Sequence, residues 1–183
     1  MRSKVLLIYT GGTIGMNRNP LTGALEPFDF EHLLNNVPEL KQFDTQIETY
    51  QFNPPIDSSD MSPSMWTDIS HCIADRYDQY DGFVVLHGTD TMAYTASALS
   101  YMLENLTKPV IFTGSQLPIG QLRTDGKENL ITAVEIYPRE ARSTAPQAPY
   151  SVTAFRMPLR MPFSSLPKAF TLSNTPSFMP LAM

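Results

Sequence analysis

The chain has 183 residues, 42% of them hydrophobic and 17% charged, which is enough apolar material for one domain with a sizeable core. A formal net charge of −5 and a pI near 5.1 exclude the clustered Lys/Arg footprint of a general nucleic-acid binder and offer an anionic membrane nothing to attract. The single cysteine, Cys72, excludes an internal disulfide and a thiolate metal cluster, and three histidines (His32, His71, His87) without H-x-x-x-H spacing make no zinc site.

The N-terminus runs from Met-Arg-Ser-Lys into a short apolar stretch broken by two glycines, unlike the longer h-region of a signal peptide. No segment reaches the roughly 18 apolar residues of a spanning helix. The expectation is a cytoplasmic chain without membrane contact. Lys4 to Tyr9 is a continuous apolar run closed by Gly11-Gly12, the pattern of a strand buried on both faces. Asp29 is placed to cap a short helix carrying Phe30, Leu33, Leu34 and Val37, and Thr45 to Phe52 alternates as a second strand. Ser62-Pro63 predicts a helix start, with Trp66, Ile69, Ile73, Tyr77 and Tyr80 on one face and Asp81-Gly82 as its end. Phe83 to Leu86 is another buried strand. Met92, Ala96, Leu99, Leu103 and Leu106 predict the next helix, and Pro109 to Phe112 a further strand. Asp125 with Glu128 suits the cap of a last helix through Leu130, Val134 and Tyr137.

Strands alternating with helices, each strand continuously apolar, predict an α/β fold with an open, mostly parallel, Rossmann-like sheet and helices on both faces. After Ile136 the composition changes. Residues 141–183 contain no Asp, Glu or Gly but hold seven of the 16 prolines and four of the 10 methionines. Prolines at that density suit neither a helix nor a central strand. The expected organisation is therefore a domain over 1–137 and an irregular, Pro-rich tail over 138–183.

Three strands end in small polar motifs: Thr10-Gly11-Gly12-Thr13, His87-Gly88-Thr89-Asp90 and Thr113-Gly114-Ser115-Gln116. Ligands of open α/β sheets sit beyond the carboxyl ends of the strands, so these motifs should gather at one edge. Thr13, after two glycines, offers a hydroxyl among free amide N–H groups, suited to attack a carbonyl and hold its oxyanion. The same glycines would also serve a structural turn or cradle a phosphate, although they match neither G-x-G-x-x-G nor the P-loop. Thr89 beside Asp90 suits a proton relay; the pair also suits the N-cap of the following helix. Asp57-Ser58-Ser59-Asp60 suits amine and carboxylate binding, or simply a polar turn.

Taken in order, Tyr9-Thr10-Gly11-Gly12-Thr13-Ile14-Gly15, Asp57-Ser58-Ser59-Asp60-Met61, His87-Gly88-Thr89-Asp90-Thr91-Met92, Thr113-Gly114-Ser115-Gln116 and Asp125-Gly126-Lys127-Glu128-Asn129-Leu130 resemble the bacterial-type L-asparaginases, the cytoplasmic type I branch best. The resemblance covers about residues 3–136. It implies hydrolysis of L-asparagine to L-aspartate and ammonia through a threonine acyl-enzyme, with Thr13 as nucleophile and Thr89 and Asp90 as the second catalytic pair. It implies that Asp57, Ser58, Ser59 and Asp90 hold the substrate's α-amino and α-carboxylate groups. It implies no metal and no organic cofactor, a smaller second domain, and homo-oligomers. A glutaminase or a transamidation-type amidase on the same fold stays open, as does a truncated, inactive or ligand-binding fragment. Two departures stand out. The loop Pro20-Leu21-Thr22-Gly23-Ala24-Leu25 lacks the tyrosine with which many members close the site. Nothing in 137–183 matches the Gly-Asn-Arg-x-x-Lys segment that carries the family's catalytic lysine; Lys168 in Leu166-Pro167-Lys168-Ala169 does not. The abrupt change near Tyr137 leads to the expectation of a truncated or frame-shifted tail, which translation of the neighbouring reading frames would test.

Overall fold

The computed structural model describes residues 2–19, 21–27, 36–104, 106–142, 152–154 and 170–172. The main sheet has six strands in the order β4-β1-β5-β6-β7-β8. They are β1 (Ser3–Tyr9), β4 (Thr45–Gln51), β5 (Gly82–Leu86), β6 (Val110–Thr113), β7 (Val152–Ala154) and β8 (Phe170–Leu172). Pairing is parallel from β4 through β7 and antiparallel only between β7 and β8. A separate hairpin pairs β2 (Met16–Arg18) with β3 (Leu25–Pro27). The expected open, mostly parallel α/β sheet is the architecture found.

Side-chain alternation along β1 divides the core. Val5, Leu7 and Tyr9 face one layer, with Val84, Leu86 and Ile111 of the neighbouring strands and with Leu130, Ala133 and Val134 of α3 (Gly126–Arg142). Leu6 and Ile8 face the other, with Phe83, Val85 and Phe112 and with the helices α1 (Pro63–Ala74) and α2 (Met92–Met102). Helices thus cover both faces, and β1 and β5, apolar at every described position but Ser3, Lys4 and Gly82, read as buried strands for that reason.

Several helix boundaries depart from the spacing of apolar residues. α1 ends at Ala74, and Tyr77–Gln79 is a separate 3-10 turn; Tyr77 and Tyr80 still pack near Phe83, with ring centroids 5.9 and 6.1 Å away. α2 ends at Met102, yet Leu103 and Leu106 are buried. A chain leaving a helix over the same core keeps burying the same side chains, so a three-four spacing can outrun the helix itself. Ser62 stands at the N-cap of α1 as expected, but its hydroxyl bonds Ser64 Oγ at 2.9 Å and not a backbone amide. The helix expected from Asp29 falls on residues outside those described, apart from its last position, the buried Val37. α3 continues to Arg142; of 143–183, only β7 and β8 are described. Among the described residues no helix is long and apolar enough to cross a membrane.

Candidate functional site

The sheet order creates a crevice. From β1 the chain crosses to β4 on one side, then returns to place β5 on the other, and from β5 it continues outward to β6. The connections therefore diverge between β1 and β5, and beyond the carboxyl ends of two such strands an open α/β sheet forms its ligand crevice. The segments leaving these two strands are Thr10-Gly11-Gly12-Thr13 and His87-Gly88-Thr89-Asp90.

The two segments meet backbone to backbone. A Cβ placed on Gly12 would lie 2.6 Å from both Gly88 Cα and Gly88 N, and Gly12 has φ +91°, where an L side chain is strained. Glycine is required there on both grounds. One on Gly88 would collide with the Ser58 side chain, and one on Gly114 with the His87 carbonyl. The three glycine motifs and the Asp57–Asp60 turn are thus in direct contact.

Hydrogen bonds fix this cluster. Thr10 donates from both N–H and hydroxyl to the Leu86 carbonyl, at 3.0 and 2.9 Å. Ile56 N–H donates to the Thr10 carbonyl at 2.6 Å, bringing in the turn that starts at Asp57. The Thr91 hydroxyl donates to the Ser58 carbonyl at 2.7 Å, and Gln116 Nε2 donates to Thr89 Oγ1 at 2.9 Å. Thr13 opens a 3-10 turn, Thr13–Gly15, and is half-buried, as is Thr89; Asp90 is exposed.

The N-cap of α2 is Thr91, without a side-chain cap bond; the capping role considered for Thr89 or Asp90 is corrected. The turn geometry carries the chain one residue further before it becomes helical. In the Asp57 turn, Ser58 is buried while Asp57, Ser59 and Asp60 are exposed. Asp57 Oδ1 accepts from Ser59 N at 2.9 Å and from Ser59 Oγ at 2.8 Å. These two donors, the backbone one foremost, hold the Asp57 carboxyl below its usual range.

Asp125 serves the site in a way the spacing did not suggest. Its carboxylate accepts from Gln116 N at 2.9 Å and from Leu117 N at 3.1 Å, so it braces the loop after β6. From the next turn of α3, the buried Asn129 donates to the Gly114 carbonyl at 2.8 Å. Gln116, Asp125 and Asn129 all stand in the family-like motifs, but nothing in their spacing assigns them these partners. Among the described residues no group of three or more His, Cys, Asp or Glu is placed to hold a metal ion.

The chain is similar to several known proteins. The family described as "Asparaginase, N-terminal" matches residues 4–146. L-asparaginase 1 of Escherichia coli K12 is 49% identical over 141 residues, covering 74% of this chain and 40% of that protein. A glutamyl-tRNA(Gln) amidotransferase component from Pyrococcus abyssi is 43% identical over 135 residues, covering 73% of this chain and 30% of that one. The crystal structure of L-asparaginase I from Vibrio cholerae superposes with a TM-score of 0.72 at 45% identity, over 85% of this chain and 45% of that one. The chain spans less than half the length of each of these proteins.

Proposed function

The chain belongs to the asparaginase family, and from that premise we propose that it is the catalytic half of an amidohydrolase acting on L-asparagine. The observation that carries the reading is the backbone contact of Gly12 with Gly88, which sets the hydroxyl-bearing Thr13 and Thr89 at neighbouring strand ends in the switch-point crevice. In this reading Thr13 Oγ attacks the side-chain amide carbon, its proton passes to the departing nitrogen, and ammonia leaves. Water then opens the acyl-enzyme to give L-aspartate and returns the proton to Thr13. Thr89 Oγ1 accepts from Gln116, so its own hydrogen is free to point elsewhere and to join that relay with Asp90. The ionised Asp57, with Asp90, suits the substrate's ammonium, and Ser58 and Ser59 suit its α-carboxylate. The reaction needs no metal or organic cofactor. The compartment we propose is the cytoplasm, where a buried free thiol such as Cys72 stays reduced.

The domain reading goes with it: a family N-terminal domain, read from the sequence as 1–137 with the family match running on to residue 146, and a remainder, read from the sequence as 138–183, that departs from its pattern. A second reading, binding without turnover, is favoured by the lack of a Gly-Asn-Arg-x-x-Lys segment in 137–183. A preference for glutamine or a transamidation substrate is a third, since one methylene is worth only about 1–3 kcal/mol of discrimination.

Ammonia release from asparagine and glutamine, for the chain and for Thr13→Ala, separates these. The expected result is release from asparagine that falls about a thousandfold or more in the variant. Equal rates would remove Thr13 as nucleophile. Aspartate binding by calorimetry with no turnover would select the second reading.

A further inference from the structure

Two buried ring side chains make equivalent contacts at the adjacent ends of β1 and β5. The Tyr9 hydroxyl donates to the Gly12 carbonyl at 3.0 Å. His87 Nδ1 lies 2.7 Å from the Gly88 carbonyl oxygen. A carbonyl only accepts, so Nδ1 carries the hydrogen and the ring is fixed in that tautomer. Tyr9 is 0% and His87 1% exposed. Burial pushes Tyr9 up to about 12 and His87 below its ordinary value, which keeps both in their neutral, donating forms near neutral pH. Among the described residues, the buried His87 Nε2 has no hydrogen-bond partner. An apolar side chain would avoid that orphan; what the imidazole supplies is the Nδ1 bond.

Both carbonyls belong to the peptide that leads into a candidate threonine, Gly12–Thr13 and Gly88–Thr89. In a trans peptide the C=O and the following N–H point in opposite directions. Holding the oxygen toward the buried ring therefore turns the threonine N–H away from it. The Gly12 carbonyl is also taken by Gly15 N at 3.3 Å, which leaves Thr13 N–H at the open start of a 3-10 turn. Among the described residues neither Thr13 N nor Thr89 N donates to another backbone group outside regular elements. Neither amide is committed to such a partner.

We propose that Tyr9 and His87 are paired positioning residues, each locking the glycine carbonyl before a threonine so that the Thr13 and Thr89 amides are presented together to one oxyanion. Neither ring touches the reacting atoms; each acts through the peptide it holds. Fixed donors stabilise a developing oxyanion because they need no reorganisation as charge appears. The kinetic consequence rests on the amidohydrolase reading, whereas the structural one does not.

The test uses the full ¹⁵N-labelled chain with Tyr9→Phe, His87→Leu and His87→Asn. Tyr9→Phe keeps the ring packed on Gly15, and the asparagine side-chain N–H of His87→Asn reaches the Nδ1 position. Tyr9→Phe should move the Thr13 amide resonance and leave that of Thr89 in place. His87→Leu should do the reverse. His87→Asn should return Thr89 close to its parent position, although it lacks the imidazole ring current just as His87→Leu does. With asparagine, Tyr9→Phe and His87→Leu should lower kcat roughly 10- to 100-fold with KM within about twofold, and His87→Asn should recover most of the loss. Unmoved Thr13 and Thr89 resonances in Tyr9→Phe and His87→Leu, or identical behaviour of His87→Leu and His87→Asn, would overturn the proposal. A parent chain that releases no ammonia overturns the amidohydrolase reading instead, and the resonances then decide the positioning roles alone.

Discussion

Asp57 carries its charge at the rim of the crevice because one neighbour supplies both donors, the Ser59 amide and the Ser59 hydroxyl. Each favours the ionised form, so the carboxylate persists to lower pH than an ordinary aspartate. Ser59→Ala removes only the hydroxyl. The Asp57 titration, followed by NMR, should move up in pH yet stay below the usual aspartate value, because the backbone donor is the larger cause and remains. Affinity for an α-ammonium held by Asp57 should then weaken as pH falls through a correspondingly higher value. An unchanged titration in Ser59→Ala would show that the hydroxyl contributes nothing. At this scale much was legible in the sequence: Asp57, Ser58, Ser59, Thr13, Thr89 and Asp90 are short polar residues at strand or turn ends. What was not legible is which lone pair meets which donor. Asp125 reads as a helix cap, and its carbonyl does accept from Asn129 N at 3.0 Å at the start of α3, but no spacing says that its carboxylate also holds the Gln116 and Leu117 amides.

Contacts between elements turn on glycine. The loops after β1 and β5 touch through Gly12 and Gly88, where a Cβ would sit 2.6 Å from backbone atoms and φ is +91°. Gly12→Ala therefore combines backbone strain with a clash that no flexible side chain can relieve. It should destabilise the chain by about 2 kcal/mol or more in urea unfolding. Gly23 in the β2–β3 turn also has a positive φ, +72°, but among the described residues nothing lies within 4 Å of its added Cβ, so Gly23→Ala should cost only about 1 kcal/mol. Equal costs at the two positions would mean that the loops are not in backbone contact. The sequence marks both glycines alike. Only the neighbouring strand distinguishes them.

Among the described residues the main sheet carries a core on each side. β1 contributes to both, Leu7 to the layer under α3 and Ile8 to the layer under α1 and α2. A shared central sheet should make the two layers unfold together. Leu7→Ala and Ile8→Ala should each cost about 2–5 kcal/mol. Trp66, the single tryptophan, lies on α1, the side opposite Leu7, with its indole N–H on Thr95 Oγ1 at 3.1 Å. In Leu7→Ala its fluorescence midpoint should nevertheless fall in step with far-UV circular dichroism. Separate midpoints would show two independent layers.

The buried strands and the three polar motifs closing them were determined by the sequence alone, because a strand covered on both faces must be apolar at nearly every position and its exit must turn. Helix ends were less legible, since Leu103 and Leu106 go on burying themselves after α2 has stopped; burial asks for proximity to the core and not for a helical backbone. Only the tertiary structure decided that β1 and β5 are neighbours with β4 beyond β1, and so that Gly12 meets Gly88 and Gln116 reaches Thr89. Those contacts join residues dozens of positions apart. Pairing between strands depends on how separate apolar faces are buried together, and no local pattern of side chains encodes it.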